Sequence, residues 1–90
     1  MPLLLPDIQE LEIVEEDIDE QVHAKLIVWN DDINSFDWVI ESLMTVCDHT
    51  HEQAAQCAWI IHTKGKYAVK SGPLSEMRPM REALVDRGIG

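Results

Sequence analysis

Asn30, Asp31 and Asp32 follow one another directly after an apolar run, and His62 stands some thirty residues further on. None of these side chains helps to build a core. Amide oxygens, carboxylates and a neutral imidazole all offer lone pairs, so together they suit a small cation that donates several hydrogen bonds. Phe36, Val39, Ala58 and Ile61 fall at spacings that would line an apolar hollow beside them, if the helices carrying them pack against each other. An acceptor-rich rim over an oily hollow matches a protein's free N-terminus. Its α-amino group, with a pKa of about 7.7–8.0, is mostly cationic at neutral pH, and a large first side chain would fill the hollow. Taken alone, Asn-Asp-Asp reads equally well as a turn capping a helix, and His62 as a solvated residue at a helix end.

The elements that must hold these residues are legible. Ala24–Trp29 (AKLIVW) reads as a short strand. Ser35 sits where an N-cap belongs, Asp37 favours the positive end of the helix dipole, and Phe36, Val39, Ile40, Leu43, Met44 and Cys47 mark the buried face of a helix over 36–47. Thr50 with Gln53 forms a capping box for a second helix, with Ala54, Cys57, Ala58 and Ile61 as its apolar stripe and Gly65 as its stop. Tyr67–Val69 reads as a second strand, and Ser71-Gly72-Pro73 as a turn. A last helix is expected from an N-cap at Ser75, which places Pro79 in the first turn, with Met80, Ala83 and Leu84 facing inward and Gly88 ending it. The fold class is α+β: a small antiparallel sheet packed by three helices in the order β-α-α-β-α. Two strands make a poor base for a domain, so a third is expected either from the acidic N-terminal residues or beyond Gly90.

Charge divides the chain. Of its 17 acidic residues, eight lie within residues 1–23, which hold no Lys or Arg, while the remainder is close to neutral. Residues 1–23 read as an acidic flexible extension and 24–90 as the folded domain. A net charge of −10 repels nucleic acid and anionic membranes. No run approaches the ~20 apolar residues of a membrane span. The two cysteines suggest no disulfide framework, so a reducing cytosol is expected. Cys47, His49, His51 and Cys57 match no familiar zinc spacing, and no metal or cofactor is expected.

The residues 30-NDD-32 after an apolar strand, the helix 36-FDWVIESLM-44 and the segment 52-EQAAQCAWIIHTKGK-66 together resemble the ClpS adaptors of the bacterial N-end rule. The likeness runs from about Ala24 to Lys70, and more loosely through the last helix. It implies a non-catalytic cytoplasmic adaptor, a monomer when free. Such an adaptor binds N-degron substrates beginning with Leu, Phe, Tyr or Trp and delivers them to a Clp AAA+ unfoldase, ClpA-like, that feeds ClpP.

By position, the resemblance gives Asn30, Asp32 and His62 the α-amino group, with Asp31 shaping the charge. Asn34 would face the first peptide group, and Phe36, Val39, Ala58 and Ile61 would wall the side-chain pocket. Lys64 and Lys66 would lie near the unfoldase. Asn34-Ser35-Phe36 stands where the family often has Thr-Pro-Met, so Phe36 occupies a gatekeeper position, and Ala58 replaces a larger apolar residue. The family's closing strand would follow Gly90. Two other readings compete: a structural interaction module without N-terminal recognition, and a small hydrolase using Asp31 or Asp32 with His62.

Overall fold

A computed structural model describes residues 12–18 and 21–90. Its elements are strands β1 (Glu12–Ile18) and β2 (Gln21–Trp29), helices α1 (Phe36–Cys47) and α2 (His51–Lys64), strand β3 (Lys66–Pro73) and helix α3 (Leu74–Asp86). This is the expected α+β order β-α-α-β-α preceded by one further strand. The sheet order is β1-β2-β3, antiparallel throughout.

β1 supplies a third strand from the acidic N-terminal residues, one of the two sources expected for it. Glu12 pairs with Ile27 and Ile18 with Gln21, so part of the acidic segment lies along β2. The expected boundary after residue 23 therefore falls inside β2, and the flexible extension is corrected for residues 12–18 and 21–23. The rest of that expectation, residues 1–11 and 19–20, lies outside the described residues. The physical reason is the sheet itself: β2 buries Ala24, Leu26 and Val28 on one face and needs hydrogen-bonding partners on both edges.

All three helices cover that face. Leu26 and Val28 meet Leu43 and Cys47 of α1, Ala54 and Ala58 of α2, Val69 of β3, and Met77 and Leu84 of α3 in a single core. Both expected cap signals operate. Ser35 Oγ accepts the Trp38 amide at 3.0 Å, and Thr50 and Gln53 exchange both bonds of a capping box. The register between β2 and β3 shifts between Leu26 and Ile27, which leaves buried Val69 in a bulge.

Two boundaries differ from expectation. β3 continues through Ser71-Gly72-Pro73, which pair with Lys25, Ala24 and His23 instead of turning. A proline is tolerated there because it ends an edge strand. The chain then enters α3 without a loop, so Pro73, not Ser75, is the N-cap. Pro79 is thus the sixth helical residue rather than a first-turn one. It withholds an amide from the Ser75 carbonyl, at an exposed position where solvent can substitute.

The far end of α2 holds a small thiol–imidazole group. Burial pushes the Cys47 thiol up to about 11 and also raises that of Cys57, so both are protonated and free. Cys57 Sγ lies 3.8 Å from His49 Nδ1. Among the described residues no three His, Cys, Asp or Glu side chains converge to hold a metal ion. Desolvation, followed by the nearby Lys70 charge, lowers the His49 pKa below its ordinary 6.5. The unfolded chain therefore takes up this proton more readily than the folded one. The stabilisation is present above pH 6.5 and is lost as pH falls toward the folded value. His49→Gln is expected to flatten the acid-side decline, measured as urea midpoints from about pH 7 to about pH 5. Parallel declines in both proteins would refute that role for His49.

Candidate functional site

The loop after β2 is organised by one carboxylate. Asp31 Oδ1 accepts the Ile33 and Asn34 amides, each at 2.9 Å, and Oδ2 accepts Asn34 Nδ2 at 3.0 Å. The Asn34 amide group also donates to the Gly88 carbonyl at 2.8 Å. Both Asn34 N–H donors are thus engaged, and its amide oxygen is left to accept.

Two helix ends are drawn to this loop. The Asn30 amide donates to the Gly65 carbonyl at 2.8 Å, which fixes the start of the loop against the end of α2. Gly65 has φ 95°, with open space where a Cβ would stand, so backbone conformation and not crowding calls for glycine there. At the end of α3, Gly88 donates to the Val85 carbonyl and Ile89 to that of Leu84, a Schellman turn with Gly88 at φ 84°. That turn is held by Trp38 Nε1, which donates to the Arg87 carbonyl at 2.9 Å, while the Arg87 guanidinium lies over the Trp38 ring.

Between these parts lies a cavity of about 280 Å³. It is lined by all nine residues expected from the sequence for the amine and the side-chain pocket: Asn30, Asp31, Asp32, Asn34, Phe36, Val39, Ala58, Ile61 and His62. Ala58 and Ile61 are buried and form its floor, whereas Asp32, Phe36 and His62 are exposed at its mouth. Three further lining residues, Val28, Trp29 and Ile89, were missed. Val28 and Trp29 read only as strand. Ile89 had a usable signal, because an apolar residue after a left-handed glycine commonly folds back on its helix.

The polar side chains divide into two groups. Asp31 and Asn34 hold each other and the loop. Asn30, Asp32 and His62 have no side-chain hydrogen-bond partner among the described residues, although His62 meets the Phe36 ring edge-on at 6.4 Å. An amide, a carboxylate and an imidazole therefore face the cavity with unused acceptor capacity. Of the two lysines expected at a docking surface, Lys64 is exposed at the end of α2, and Lys66 places its ammonium 4.5 Å from the centroid of the Trp29 ring. Neither lines the cavity.

The fold and the cavity together define a small α+β module with polar acceptors set around an apolar hollow. Residues 19–88 match the family described as "ATP-dependent Clp protease adaptor protein ClpS". The chain belongs to the ClpS family, a family of non-catalytic adaptors. It is 31% identical over 71 residues to the ATP-dependent Clp protease adapter protein ClpS of Corynebacterium aurimucosum. That match covers 79% of this chain and 64% of the relative, so the chain spans a little under two thirds of the relative's length.

Proposed function

We propose that this protein is a bacterial cytoplasmic adaptor that grips the free α-amino group and bulky first side chain of N-degron substrates. It delivers them to a Clp AAA+ unfoldase, ClpA-like, working with ClpP. The observation that carries this reading is the trio of acceptors, Asn30, Asp32 and His62, without hydrogen-bond partners among the described residues, on one cavity with an apolar floor. An ammonium has three N–H donors, which matches three acceptors of which one is a carboxylate. A cavity of about 280 Å³ lies at the small end of ligand sites, sized for one side chain rather than a folded segment.

The alternatives explain less. A hydrolase using Asp31 would need a carboxylate that is already engaged by three loop N–H groups. A purely structural module has no use for open acceptors around a hollow. No helix among the described residues is long and apolar enough to cross a membrane. For unfoldase contact, Lys64 is the more available of the two lysines, since Lys66 is partly occupied with Trp29.

Fluorescence anisotropy with short peptides tests the side-chain half of this reading. Peptides beginning with Leu, Phe, Tyr or Trp should bind about ten- to a hundredfold more tightly than the same peptide beginning with Gly, as burial of one large apolar side chain predicts. Equal binding of the Gly peptide would sink the proposal. In the same assay Phe36→Met should widen the set of accepted first residues, because Phe36 stands at the mouth while Ala58 leaves the floor open. An unchanged profile would remove Phe36 from the role of gatekeeper.

A further inference from the structure

Three rings form a continuous ridge that starts inside the cavity and ends outside it. Phe36 and His62 both line the cavity, perpendicular to each other with centroids 6.4 Å apart. On its other side, His62 stands 6.3 Å from Trp59 at an interplanar angle of 42°. Trp59 lies three residues before His62 on α2, hence on the same face of the helix. It is not part of the cavity lining, and it is 60% exposed. An indole this exposed adds little to the core, and its neighbour on the ridge is one of the three open acceptors.

A peptide whose amine sits at His62 and whose first side chain fills the cavity must continue across the mouth. Its second Cα lies 3.8 Å from the first, and successive side chains of an extended chain point to opposite sides. The second side chain therefore emerges away from the cavity floor, within reach of a ring 6.3 Å from His62.

The geometry points to Trp59 as a second subsite that receives the second side chain of the same peptide, with a preference for aromatic or large aliphatic residues. This rests on the reading of the cavity as a site for a free N-terminus. The contact is an aromatic one at a partly exposed surface, and its effect is a roughly five- to tenfold gain in affinity.

The test compares peptides beginning Leu-Phe and Leu-Gly on the unaltered protein, on Trp59→Ala and on Trp59→Tyr. The unaltered protein and Trp59→Tyr should bind Leu-Phe more tightly than Leu-Gly. Trp59→Ala should bind the two equally, at the affinity the unaltered protein has for Leu-Gly. A preference that survives in Trp59→Ala overturns the subsite, and so does an equal weakening of both peptides. Absence of any preference in the unaltered protein also overturns it, and weaker capture of a ClpA-like unfoldase by Trp59→Ala would then assign the ridge to that partner. If neither peptide binds the unaltered protein, the N-terminal reading itself fails, and the subsite with it.

Discussion

Acetylating the first residue of a Leu- or Phe-initial peptide is expected to lower its affinity by about 2–5 kcal/mol, on the order of 30- to 5,000-fold. The modification leaves the side chain unchanged, so apolar burial is preserved. It removes the cation and two of its three N–H donors, while Asn30, Asp32 and His62 still line the cavity. A carboxylate covered by a peptide but given no partner loses its hydration without compensation, which is why the penalty exceeds that of one ordinary hydrogen bond. An N-monomethylated peptide separates charge from bulk, because it keeps the cation and two donors. It should fall between the free and acetylated forms. Indistinguishable binding of the acetylated and free peptides would rule out amine recognition.

The adjacent aspartates are expected to fail in opposite ways. Asp31→Ala removes the acceptor of three N–H groups in the loop and frees the amide that ties Asn34 to Gly88. Two of the three bonds are partly buried and one is exposed; at about 1 kcal/mol per bond the loss of stability is about 2–3 kcal/mol, or roughly 10–20 °C in Tm for a domain of this size. Peptide affinity falls with it, since the loop positions the cavity. Asp32→Ala removes an exposed carboxylate without a partner among the described residues, so stability should stay within about 0.5 kcal/mol. Affinity for a free N-terminus should nonetheless drop at least about tenfold. Thermal melts paired with anisotropy distinguish the two, and the opposite pattern would reverse the roles given to these residues.

Much of this was legible beforehand, for local reasons. The two helices that carry the cavity announce themselves by caps and by stripes: Ser35 and Thr50 accept the bonds expected of them, and Leu43, Cys47, Ala54 and Ile61 are buried as spaced. What stays open or falls in the wrong place depends on partners distant in sequence. β1 carries four acids in seven residues, a composition poor for a strand, and it forms one because β2 offers it an edge. Local proline tolerance points to Ser75 as the N-cap of α3, whereas β3 runs straight into the helix and Pro73 takes that place. The resemblance gives Asp31 only the shaping of charge beside the amine, and nothing in two adjacent aspartates tells that its carboxylate holds the loop. Only the loop's geometry shows that one faces its own backbone and the other does not. Resemblance joined to helical spacing points to nine of the cavity's lining residues, and it does not reach Ile89, which follows the last helix rather than lying on it.

The direction of β1 carries a further consequence for delivery. Its first residue, Glu12, is opposite Ile27, three positions before Asn30, so the strand begins at the end of the sheet nearest the mouth of the cavity. A partner that docked against the start of β1 would therefore sit beside the cavity, not at the opposite pole of the fold.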